Sequence, residues 1–79
     1  MDLTRIAPHV YACLQQDRGL GTNNSGLVDH GSGLVIDTFW DLPHTRQLIA
    51  TYAQVRSQPV RELVNTHHNG DHCWGNQLF

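Results

Sequence analysis

The sequence contains no lysine. Its five basic residues are all arginine, set against seven acids for a net charge of −2. No basic run occurs, which argues against nucleic acid or an anionic membrane surface as a partner. There are only two cysteines, Cys13 and Cys73, and they form no C-x-x-C pair, so a disulfide framework is not expected. No apolar run approaches the ~20 residues of a membrane span. The start, MDLTRIAPHV, lacks a charged-then-apolar signal segment, and the expectation is a cytoplasmic chain. Internal repeats, low-complexity tracts and linkers are also missing. Charged residues make up 15% and hydrophobic residues 39%, which fits a globular chain rather than a disordered one. The 79 residues allow one small domain. A chain this short buries roughly 60% of its unfolded surface, so it is either a mini-domain or part of something larger. What is abundant is histidine, with six in the chain, and His67, His68 and His72 lie close together.

The order of elements can be read from periodicity. In TRIAPHVYACLQQ, residues 4–16, Val10, Ala12 and Leu14 alternate with His9, Tyr11 and Cys13. That is a strand pattern with one buried face, and Pro8 splits it or marks an edge. Residues 17–23 carry two glycines among polar residues and read as a loop. NSGLVD (24–29) and GLVID (33–37) form a hairpin with His30 to Ser32 in the turn. The continuous apolar run LVI suggests a strand covered on both faces. Over 41–57 the period changes: Leu48, Ile49, Tyr52 and Val55 make one helical stripe. Asp41 is placed as N-cap and Pro43 in the first turn, and Pro59 ends the segment. A strand centred on Leu63 and Val64 follows. The 33–66 stretch is therefore a strand–helix–strand crossover with two parallel strands. Sites in such units form beyond the carboxyl ends of the strands. Asp37 ends one strand and His67 follows the other, so both belong to the same sheet edge.

The segment Thr66-His67-His68-Asn69-Gly70-Asp71-His72 carries the chemistry. Imidazoles and a carboxylate at this spacing suit zinc or another borderline metal. In extended chain, positions 67 and 69 share a side and His68 points away. A turn at Gly70 returns Asp71 and His72 toward His67. The competing structural reading is a solvated polar loop in which Asp71 caps a helix.

This segment resembles the His-x-His-x-Asp-His signature of the metallo-β-lactamase superfamily, matching it at His67, Asp71 and His72. SGLVDHGSGLVIDTF resembles that family's N-terminal hairpin, whose second strand ends in a structural Asp, here Asp37. The resemblance runs from Ile6 to Phe79. It implies an α/β (α+β) fold, the N-terminal half of an αββα sandwich, with 1–79 a partial domain whose C-terminal half is missing. It also implies a metal-dependent hydrolase that uses a metal-bound hydroxide on an ester, thioester, lactone, lactam or phosphodiester-type bond of a small-molecule substrate. The chain alone is expected to be inactive. One or two zinc ions are implied, with iron or manganese as alternatives. His67 contributes to a first metal; Asp71 and His72 contribute to a second, and Asp71 also orients the attacking group.

The departure is Asn69, which stands where the family has its second His. A neutral amide is a poorer zinc ligand than imidazole, so a weakened first site is expected, with Asn69 as a metal-proximal residue or simply a turn former. His68 is read as a supporting residue, Asp37 as support beneath the loop, Cys73 as a small buried thiol, and Trp74 as packing or a pocket wall. Gly75 and Asn76 are read as fitting the following turn, and His9, His30 and His44 as surface residues. Two alternatives stand beside the hydrolase: a di-iron redox protein on the same fold, and a degenerate, inactive metal-binding module.

Overall fold

Two hairpins and one crossover build the sheet in the computed structural model, which describes residues 1–16 and 19–79. Strands β1 (Leu3–Ala7), β2 (Val10–Cys13), β3 (Ser25–Val28), β4 (Leu34–Ile36) and β5 (Glu62–Val64) lie in the order β1-β2-β3-β4-β5. The first three pairings are antiparallel and the β4–β5 pairing is parallel. Pro8 falls in the turn between β1 and β2, where no ladder bond needs the amide hydrogen it lacks, and β1 is an edge strand. The register slips between Arg5 and Ala7. The expected 17–23 loop falls between β2 and β3, although Asp17 and Arg18 lie outside the described residues. The β3–β4 turn contains His30 to Ser32, with Gly31 and Gly33 at φ of 57° and 77°. Such backbone favours glycine.

Between β4 and β5 runs helix α1 (Leu42–Tyr52). Asp41 is its N-cap, and its carboxylate accepts from the His44 amide at 2.7 Å. The ordered helix ends at Tyr52, short of the stripe read in the sequence, and Val55 lies at the rim, 36% exposed. Beyond Tyr52 the chain continues in turns. The Arg56 guanidinium reaches back to Asp29 at 3.0 Å and to the Gly31 carbonyl at 2.8 Å, tying the end of the helical segment to the β3–β4 turn.

The core lies between α1 and one face of the sheet. Cys13, Leu27, Val35, Phe39, Leu48 and Tyr52 form it, with Leu3, Tyr11, Val60 and Leu63 packed against it. Strand alternation explains the set: Tyr11 and Cys13 share one face of β2, and Leu27 and Val35 sit opposite each other in register. Burying a Leu or Val side chain contributes about 1.5–3 kcal/mol, so Leu27, Val35 and Leu48, all at 0% exposure, anchor the crossover. The LVI run is fully covered only at Val35; Leu34 and Ile36, on the other face, are half-buried. Among the described residues no helix is long and apolar enough to cross a membrane.

The parallel pairing sets Val35 beside Leu63 and Ile36 beside Val64. Both strands therefore end at one edge, where the Asp37 amide donates to the Val64 carbonyl at 2.8 Å.

Candidate metal centre

The chain leaves β5 through Asn65 and Thr66, then forms helix α2 (Gly70–Cys73) and a 3-10 turn at Asn76–Leu78. A short helix thus stands where a turn was expected, and it performs the expected return. His67, Asp71 and His72 come together with one candidate ligand atom each, all within 4.8 Å of one another. The His67 and His72 rings lie 4.1 Å apart between centroids. Nε2 of His72 is 3.6 Å from Oδ2 of Asp71, beyond a good hydrogen bond and suited to two atoms facing a common centre.

Asp37 organises this group from β4. It is 5% exposed and sits at φ 67°, a left-handed conformation that Asp tolerates better than most residues. That bend ends the strand and directs the carboxylate beneath the loop. Oδ1 accepts the Thr66 amide at 2.7 Å. Oδ2 accepts the Thr66 hydroxyl at 2.8 Å and faces Nδ1 of His72 at 2.9 Å. Burial pushes the Asp37 pKa up, but the bonds from the Thr66 amide, His72 and the Thr66 hydroxyl outweigh it and hold the carboxyl below its ordinary range.

An ionised carboxylate only accepts hydrogen bonds. Nδ1 of His72 therefore carries a hydrogen, and in the neutral ring Nε2 keeps its lone pair free. The same logic reaches His67 through Thr66. The hydroxyl has one hydrogen and gives it to Asp37, so its 3.0 Å contact with Nδ1 of His67 is made by an Nδ1–H donor. One buried carboxylate thus leaves Nε2 of both histidines available as ligands. For His72 this is the usual support of a metal-binding histidine, whose second nitrogen is bonded to a carboxylate, a carbonyl or water.

A second set of contacts holds the His72 backbone. Its carbonyl accepts from the Thr38 amide at 2.9 Å and from Nδ2 of Asn65 at 2.8 Å. Asn76 bonds Asn65 at 2.7 Å and accepts from the Thr38 hydroxyl at 3.0 Å. Asn23 donates to the Thr38 carbonyl at 3.0 Å and approaches Nδ1 of His72 at 3.5 Å. A Cβ on Gly75 would overlap the buried Thr45 side chain of α1, so the turn after the motif lies directly on the helix.

The structure brings together His67, Asp71 and His72, which the sequence reading named, above Asp37; Thr66, Thr38, Asn65 and Asn23 were not named as supports. One signal was available: both parallel strands end in adjacent polar pairs, Asp37-Thr38 and Asn65-Thr66. His68 is exposed and lies outside the ligand group. Asn69 is an exposed N-cap of α2 whose side chain makes no capping bond. Cys73 corrects the expectation of a buried thiol. It is half-buried, because its Sγ turns to the carbonyls of His68 and Asn69 at 3.5 and 3.4 Å at the surface. His9 and His30 are exposed, and so is His44, which pairs with Asp41 at 2.8 Å.

Comparison with known proteins agrees with this fold. The model of the metallo-beta-lactamase superfamily matches residues 18–79. The fold is similar to a metallo-beta-lactamase crystal structure from Erythrobacter litoralis with beta-mercaptoethanol in the active site, at TM-score 0.74 and 28% identity over 95% of this chain and 35% of that one. It is also similar to the metallo-beta-lactamase FIM-1 from Pseudomonas aeruginosa in its mono-zinc form, at TM-score 0.74 and 27% identity over 96% of this chain and 36% of that one. A metallo-beta-lactamase from Hirschia baltica, 18% identical with TM-score 0.73 over 96% and 37% of the two chains, shares the fold. The chain thus spans about a third of the length of these structures. No curated protein matches it significantly.

Proposed function

The chain belongs to the metallo-beta-lactamase superfamily, and on that premise we propose that it supplies the first ligands of a metal-dependent hydrolytic centre. Superfamily members are generally metal-dependent hydrolases. The observation that carries the reading is the convergence of His67, Asp71 and His72 within 4.8 Å, with Nδ1 of His72 already engaged by Asp37.

The donor set fits zinc: two neutral imidazole nitrogens and a carboxylate oxygen. A divalent ion held there acts as a Lewis acid, acidifying water and polarising the bond to be cleaved. His67 would contribute to a first ion, and His72 with a carboxylate oxygen of Asp71 to a second, each imidazole through Nε2; Asp71 would also orient the attacking group. Asp37 fixes His72 directly and His67 through Thr66. The whole protein is read as a hydrolase of a small-molecule ester, thioester, lactone, lactam or phosphodiester-type bond, with zinc as the first candidate ion.

Asn69 supports a second reading, in which the first site is weak and a single ion, or none, is held. Metal analysis of the intact protein, with an ester, thioester and phosphodiester panel, tests both. Bound metal with turnover is expected; no metal and no turnover refutes the hydrolase. Asn69→His raises metal stoichiometry if the first site is limited by this residue, and unchanged stoichiometry shows that it is not.

A further inference from the structure

Of the ligand group, Asp71 has the least visible support. His72 is held by its ring and its carbonyl, and His67 through Thr66, but among the described residues no hydrogen bond reaches the Asp71 carboxylate. Its helix is also weak by itself. Four residues are far below the ~12–15 at which an isolated helix is even marginal, and Asn69 adds no side-chain cap.

What lies on this turn is Trp74. A Cβ added at Gly70 would overlap Cε2, Cδ2 and Cζ2 of the Trp74 indole, so the ring rests on the backbone that immediately precedes Asp71. The Trp74 amide donates to the Gly70 carbonyl at 2.9 Å, closing the turn from the other side. Yet Trp74 is 65% exposed. Within this chain so open an aromatic adds little core burial, while its indole covers the Gly70 backbone.

We propose that Trp74 is a positioning residue for the metal centre: its indole clamps Gly70 and so fixes the direction in which Asp71 presents its carboxylate. The position requires glycine because the clamp occupies the space of a side chain. This rests on the metal-centre reading above and adds to it a residue that does not itself coordinate.

The test is Co2+ affinity, measured on the intact protein by chelator competition and by the visible absorption of the bound ion, beside the melting temperature of the metal-free protein. Trp74→Ala weakens Co2+ binding by about tenfold or more, the scale seen when support outside the ligand set is lost, and leaves metal-free melting nearly unchanged. Trp74→Phe, which keeps a ring over Gly70, recovers most of the affinity. Gly70→Ala also weakens binding, and combining it with Trp74→Ala adds no further loss, because the two act through one contact. Unchanged affinity in Trp74→Ala overturns the proposal while leaving the metal centre standing. So does equal loss in the Ala and Phe variants, or a fall in metal-free melting that parallels the loss of affinity. An intact wild-type protein that binds no Co2+ overturns the metal centre and the clamp together.

Discussion

Removing the Thr66 hydroxyl should shift the His67 tautomer without touching either ring. Thr66→Val keeps the shape and the amide that bonds Oδ1 of Asp37. It deletes the donor to Oδ2 and the acceptor of the His67 Nδ1 hydrogen. His67 then loses its bias toward the Nδ1–H form, and part of the population protonates Nε2, the atom needed for metal. The bond that biases His67, from Nδ1–H to a neutral hydroxyl, contributes about 0.5–1.5 kcal/mol, and about 1.4 kcal/mol corresponds to tenfold in an equilibrium constant. Zinc affinity measured by chelator competition should therefore fall severalfold, by up to about tenfold, while Thr66→Ser stays near wild type. Nitrogen NMR of the imidazoles should show His67 changing tautomer balance while His72, bonded directly to Asp37, does not. Wild-type affinity with an unchanged His67 tautomer in Thr66→Val would refute the relay.

Three further outcomes follow from the same contacts. Asp37→Asn replaces an acceptor with a group that can also donate, and should lower metal affinity by at least about 10–100-fold, read as lost zinc stoichiometry after dialysis; full retention would contradict the supporting role. Asp41→Ala removes the α1 cap and should cost about 1 kcal/mol in thermal or denaturant unfolding. Burial pushes the Asp41 pKa up, but the His44 amide and imidazole outweigh it and hold it low. Its contribution is therefore present above the unfolded value of about 3.9 and fades as pH falls through the lower folded value; an Asp41→Ala deficit that persists unchanged in strong acid would contradict this. Gly75→Ala forces a methyl group into Thr45 and should destabilise by about 1–3 kcal/mol, seen as a lower unfolding midpoint.

Features set by local pattern were legible in the sequence. The β3–β4 hairpin, the crossover and the Asp41 cap each follow from periodicity or from a residue with a strong positional preference, whereas the pairing of β1 with β2 around Pro8 was not read from the sequence. The His67, Asp71 and His72 cluster was legible because its members are close in the chain. The Thr38–Asn65–Asn76 network was not, since Thr38 bonds Asn76 from 38 residues away and no local pattern announces such a partner. Thr45 is polar and so not part of the apolar stripe of α1, yet it is buried, with Gly75 lying against it. Val55 fits the helical stripe but falls past the end of α1, where the chain has already turned.

The parallel pairing of β4 and β5 has a thermodynamic consequence. Asp37 meets Thr66 across 29 residues and His72 across 35, with the whole of α1 between them. The ligand geometry therefore exists only when the crossover is closed, and metal affinity and crossover stability are linked functions. An ion present at a hundredfold over its dissociation constant adds about 2.7 kcal/mol to any state that alone can bind it. That increment appears at every bond whose opening dismantles the centre, including the Asp37 amide on Val64 and the Thr38 amide on His72. Chelation should accordingly speed hydrogen exchange at both amides together, making two backbone positions that do not themselves coordinate the ion a reporter of occupancy.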